Sequence, residues 1–185
     1  MKTIDYYMTP SSPWTYLGHR RFSEIAKRHG AHVNVKPVDF GVIFPQSGGL
    51  PLPKRAPQRQ AYRLAELKRW KDHLGISLVV QPKFFPVDGG PAAQLIAAAP
   101  EGKRMALAAD LLAALWKEDR NLADPGLLEE IGRKHGVGGG DKAKYESYTQ
   151  EALKRSVFGA PSYVYNDEIF WGQDRLDFLD RALQK

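Results

Sequence analysis

The chain contains no cysteine. That absence excludes structural disulfides, thiolate metal sites and a cysteine nucleophile. Any thiol chemistry has to use a thiol brought in by a small molecule. Long apolar runs are also missing. The most apolar stretch, Leu107–Trp116, is too short to cross a bilayer. The N-terminus, Met1-Lys2-Thr3-Ile4-Asp5, has no apolar signal core behind its lysine, so a cytoplasmic location and no membrane partner are expected. No tract of one charge sign dominates. The net charge is +6, but acidic residues are interspersed nearly everywhere, and no nucleic-acid-binding motif accompanies the excess. The exception is Lys54–Arg69, with six Lys/Arg against the single Glu66.

What is present describes an ordinary globular chain of 185 residues, with 43% apolar and 26% charged residues, long enough for one domain with a real core. Thr3–Met8 alternates and is rich in β-formers, so it predicts a strand. A Pro/Ser turn follows. Pro13 then opens a helix at the position where its missing N–H costs nothing, and Gly30 closes it. His32–Val38 predicts a second strand. Phe40–Pro57, rich in Pro and Gly, predicts an irregular loop. Helices are expected over about Arg59–Leu74, Gly90–Ala99, Lys103–Asp119, Leu127–His135 and Asp141–Ser156, with Leu78–Phe85 extended. Ser162–Tyr165 and Ile169–Trp171, joined by Asn166-Asp167-Glu168, read as a hairpin, and Arg175–Gln184 as a last helix. The order is β-α-β, a long helical block, then β-β-α. This is an α/β thioredoxin-like arrangement in one domain of residues 1–185. Residues 1–50 and 157–185 supply the thioredoxin part, and about 55–156 the helical insertion.

Three short constellations carry chemistry. In Tyr6–Tyr16, a strand, a turn and a helix start aim free N–H groups and the positive end of a helix dipole at one spot, which favours an anion such as a thiolate. Ser11 or Ser12 there is equally a helix cap, and on local sequence alone the cap is the stronger reading. In Gly159-Ala160-Pro161, a proline enters a strand; a cis bond would present the backbone of Ala160 to an extended peptide, although base rates favour trans. In Gly172-Gln173-Asp174-Arg175, Asp174 is an N-cap candidate, or the turn binds the charged end of a small molecule.

Order and spacing join these fragments. The segments Y-Y-M-T-P-S-S-P-W-T-Y-L (Tyr6–Leu17), S-G-G-L-P-L-P-K-R-A-P-Q-R-Q-A-Y-R-L-A-E-L-K-R-W (Ser47–Trp70) and V-F-G-A-P-S-Y-V-Y-N-D-E-I-F-W-G-Q-D-R-L-D-F-L (Val157–Leu179) resemble the 2-hydroxychromene-2-carboxylate isomerases, relatives of kappa-class glutathione transferases and of DsbA-like oxidoreductases. The resemblance covers nearly the whole chain. It implies a DsbA/kappa-type fold and glutathione as cofactor. Ser12 would contact the glutathione sulfur, Ala160 and Pro161 would hold the cysteinyl backbone, and Gln173 and Asp174 the γ-glutamyl group. It also implies a basic residue, Lys54 or Arg59, for the glycyl carboxylate. An asparagine usual in the middle loop is replaced by Gly49.

The activity implied is a glutathione-dependent isomerisation of an aromatic, pyruvate-like carboxylate, with Lys54, Trp14 and Phe44 toward the substrate and Trp70 more suited to core packing. A homodimer is implied too. A kappa-type transferase or peroxidase, and a non-catalytic thioredoxin-fold binding protein, are the competing readings.

Overall fold

A computed structural model describes residues 1–185. A four-stranded sheet lies at its centre: β1 (Thr3–Met8), β2 (His32–Pro37), β3 (Ser162–Tyr165) and β4 (Glu168–Trp171). The spatial order is β2-β1-β3-β4. β1 and β2 run parallel, so a crossover helix must join them, and α1 (Pro13–Arg28) does so. β3 is antiparallel to β1 and to β4. This is the thioredoxin sheet.

The alternation in β1 sorts its side chains to the two faces of the sheet. Ile4, Tyr6 and Met8 enter the large core, with Leu17, Phe22 and Ile25 of α1 and Leu176, Leu179 and Leu183 of α8 (Leu176–Gln184). The Tyr6 ring lies 4.7 Å from that of Phe22 and stacks at 5.2 Å on that of Tyr163. Tyr7 enters the smaller core on the other face with Val38, Val157 and Val164. On that face Lys36 bridges Asp5 (2.8 Å) and Glu151 (2.6 Å), and Glu151 also accepts from the Tyr7 hydroxyl at 2.6 Å.

Between β2 and β3 the chain is helical. Phe40–Pro57, expected to be irregular, instead starts with α2 (Phe40–Ser47) and a 3-10 turn at Leu52–Lys54. Asp39 caps α2 by accepting from the Gly41 N–H at 2.7 Å, and Gly48, at φ 75°, ends it. Pro45 removes one donor from this two-turn helix, but burial of Phe40 and Ile43 against Tyr7 and Ala152 outweighs that loss. Then come α3 (Pro57–Leu74), α4 (Gly90–Ala98), α5 (Glu101–Trp116), α6 (Pro125–His135) and α7 (Lys142–Lys154). The starts of the last two are written in local chemistry. Asp124 and Asp141 cap α6 and α7 by accepting from Gly126 N–H (2.9 Å) and Lys144 N–H (2.9 Å). Leu78–Phe85 has neither helix nor strand. Leu107, Leu111, Leu112, Leu115 and Trp116 of α5 join this block to the sheet core. No helix is long and apolar enough to cross a membrane.

Candidate active site

Strand register brings the three constellations together. Tyr7 pairs with Ser162, and Ser162 with Trp171. The turn after β1, the residues before β3 and the turn after β4 therefore leave the same edge of the sheet. Strands are about 4.8 Å apart, so the distance from β1 to β4 is about 10 Å, roughly the length of an extended tripeptide.

Ser12 is the N-cap of α1. Its Oγ accepts from the Thr15 N–H at 3.2 Å, and the residue is nearly buried. The cap reading is what the structure shows, yet it leaves the hydroxyl proton free. No acidic side chain occupies the first turn of α1, so the dipole there is not neutralised, and the Trp14 N–H has no acceptor in the protein. Ser11 turns the other way. Its Oγ lies 3.0 Å from Thr9 Oγ1 and faces a cavity of about 550 Å³ whose lining includes Asp39, Asp88 and Glu146. Ser12 does not line that cavity, and its carboxylates disfavour an anionic ligand.

The Ala160-Pro161 bond is cis, against the base-rate expectation of trans. The Ala160 N–H and C=O are paired with nothing in the protein. Around them Pro161 O accepts from Gly172 N–H at 2.8 Å, and the Ser162 hydroxyl donates to Gly159 O at 2.7 Å. An edge of backbone is thus held rigidly and left open.

After β4, Gly172 adopts φ 98° and the chain enters a 3-10 turn at Gln173–Arg175. Asp174 is not the N-cap that its sequence position suggested. Arg175 stands at the start of α8, and the Asp174 carboxylate is paired with the Arg175 guanidinium at the surface instead. The Gln173 side chain is buried and turned inward. Arg21 donates to its backbone oxygen at 2.8 Å and also to its amide oxygen. This turn leaves the Gln173 and Asp174 N–H groups without an acceptor in the protein and holds the Asp174 carboxylate at the surface. α1 can approach the turn because Gly18 has no side chain: a Cβ there would stand 2.9 Å from Gln173 Cβ and 2.9 Å from the Tyr163 hydroxyl.

Trp14 is half-buried against the main core, as is Trp70, whose ring lies under the Arg21 guanidinium at 5.9 Å. Phe44 packs on Phe40 (5.4 Å) and covers Gly49, where a Cβ would fall 2.3 Å from the Phe44 ring. The position that holds asparagine in the resemblance is closed here by Phe44. Lys54 and Arg59 are exposed and make no ion pair. Two buried groups stand near these elements without a motif to mark them. His19 is buried between the Tyr6 hydroxyl (Nδ1, 3.1 Å) and Met105 O (Nε2, 3.0 Å), and burial holds its pKa down at about 4. Arg63 is a buried cation on α3. Its only sequence signal was its place within the basic run.

Among curated proteins, the 2-hydroxychromene-2-carboxylate isomerase of Sphingobium xenophagum is 28% identical over 98% of this chain and 98% of its own length. The enzyme of that name from Pseudomonas putida is 26% identical over 97% of this chain and 93% of its own. A solved 2-hydroxychromene-2-carboxylate isomerase superposes with a TM-score of 0.85 at 24% identity, over 98% of this chain and 94% of that one. The cytosolic disulfide reductase DsbM of Pseudomonas aeruginosa, solved with GSH, superposes at 0.65 with 17% identity over 99% of this chain and all of that one. The family model of the DSBA-like thioredoxin domain matches residues 3–184, and the chain belongs to that family.

Proposed function

We propose that this protein is a glutathione-dependent isomerase of the 2-hydroxychromene-2-carboxylate type. The observation that carries the reading is the set of unpaired groups along one sheet edge: the Ser12 hydroxyl proton, the Ala160 N–H and C=O, and the Gln173–Asp174 turn, in a chain without a thiol of its own. The names of the full-length relatives support the reaction class.

These residues suit a γ-glutamyl tripeptide. Ala160 offers one donor and one acceptor, as an extended peptide backbone requires. The Gln173 and Asp174 N–H groups suit a carboxylate, and the Asp174 carboxylate an ammonium group. Arg59, exposed and unpaired, suits the glycyl carboxylate. When bound, glutathione supplies a thiolate that adds reversibly to a conjugated double bond, which is then free to rotate before the thiolate departs unchanged. Ser12 donates to sulfur while the α1 N-terminus favours the negative charge. An ordinary thiol has a pKa near ~8.5; lowering it by ~2 units makes it mostly thiolate at neutrality and takes about 2.7 kcal/mol. The basic run that begins at Lys54 supplies the cationic partner for the substrate carboxylate, with Trp14 and Phe44 as aromatic walls.

Ultraviolet titration of the glutathione complex tests the assignment. Wild type is expected to show a thiolate band at neutral pH that Ser12→Ala weakens; equal bands in both would reduce Ser12 to a cap. Turnover with substoichiometric glutathione separates isomerase from transferase, because only a transferase consumes the thiol. The same reading has the protein working as a homodimer, and gel filtration at the monomer mass would refute that part.

A further inference from the structure

Arg63 is 9% exposed, and its guanidinium makes no hydrogen bond or ion pair anywhere in the protein. Nη2 is fully buried without a partner. The group lies over the rings of Phe85 (5.0 Å) and Trp116 (6.0 Å), which offset part of its lost hydration but offer its N–H groups no oxygen. An unpaired buried charge is costly to a fold. Here like charges add to that cost. Arg55 lies near enough to depress the proton affinity of Arg63, after burial, and Arg59 does the same to Arg55. The one acid of the basic run, Glu66, is paired with Arg69 instead. Arg104, also buried on this block, shows what a structural arginine looks like: it donates to Ala99 O at 2.8 Å, Ala97 O at 3.3 Å and the Tyr148 hydroxyl at 2.8 Å.

The ring on which the Arg63 guanidinium lies, Phe85, opens a segment that packs on the turn between β1 and α1. Phe85 begins the loop that reaches Gly89, where a Cβ would stand 3.1 Å from Ser11 Oγ. Four residues of extended chain span at most about 14 Å.

We propose that Arg63, seconded by Arg55, is a specificity-determining anchor that receives a carboxylate carried on an aromatic body, Phe85 supplying the ring beside it. A guanidinium suits a planar carboxylate because its N–H groups match both oxygens at once. The substrate class rests on the function proposed above, but the anchor requires no glutathione, so the two readings can fail separately.

Calorimetric titration of the protein without glutathione tests it, with trans-cinnamate as the aromatic carboxylate, cinnamamide as its uncharged isostere, and phosphate and glutathione as rival anions. Wild type is expected to bind cinnamate and not cinnamamide. Arg63→Met, which keeps the packed stem, is expected to weaken cinnamate at least tenfold while glutathione affinity stays within twofold and the Tm of the free protein is no lower. Cinnamate affinity within twofold of wild type in Arg63→Met overturns the proposal. So does one-for-one displacement of cinnamate by phosphate or by glutathione. If Arg63→Met loses both Tm and affinity, Arg63→Lys decides. A charge-matched variant with wild-type Tm that still binds at least threefold more weakly sustains the anchor; recovery of both overturns it.

Discussion

Titration of His19 is expected to weaken this fold as the pH falls from 7.5 toward 4. The imidazole is 6% exposed and bridges the sheet to α5, accepting from the Tyr6 hydroxyl and donating to Met105 O. Protonation would place a second donor against the Tyr6 hydroxyl and a charge in the main core. Burial, the larger cause, pulls the pKa from 6.5 to about 4, the Met105 carbonyl opposing it. The folded value is the lower one, so the unfolded chain binds more protons between these limits, and stability falls as pH falls through this window. Each unit is worth about 1.4 kcal/mol. The fold should therefore lose about 2 kcal/mol between pH 7.5 and 5 and about 3 kcal/mol by pH 4 from this residue alone. Asp5, Asp110 and Asp180, all held below the usual carboxylate range, act mainly below pH 5. Urea unfolding of wild type and His19→Gln at half-unit steps from pH 7.5 to 5 isolates the contribution of the imidazole. The variant should be less stable at pH 7.5 and its deficit should shrink by about 2 kcal/mol at pH 5. Parallel curves over that range would refute the argument.

Two further substitutions test how the packing supports the site. Gly18→Ala should destabilise by about 1–3 kcal/mol, because its methyl overlaps Gln173 Cβ and the Tyr163 hydroxyl, and calorimetric glutathione titration should show weaker binding through the displaced turn; Gly102→Ala, in open space on α5, is the control and should leave both unchanged or raise Tm slightly. Leu111→Ala, fully buried where the helical block meets the sheet core, should cost about 2–5 kcal/mol, read as a lower urea midpoint with an unchanged slope.

Much of this molecule was legible in one dimension. β1 falls on the residues its alternation marked, β3 on the first β-rich run of the hairpin, and α1 begins where Ser12-Pro13 says it must. The α2 segment was not legible, because Pro45 and Gly41 read as loop residues until Tyr7 and Ala152 are present to receive Phe40 and Ile43. Asp174 looked like a cap because sequence shows the residue type but not that its carboxylate turns to Arg175. Gly49 looked like a missing contact, and only the fold shows the Phe44 ring in its place.

The sequence by itself determined the β-α-β and β-β-α ends, the absence of a protein thiol and the residue types at the three loops, since these depend on local propensity and composition. Register decided that the three loops share one sheet edge, a relation between residues some 150 positions apart that no local signal encodes. Burial decided the rest. His19 and Arg63 are unremarkable letters in the chain, and they matter because tertiary packing buries both side chains, giving the imidazole its partners and leaving the guanidinium without one in the protein.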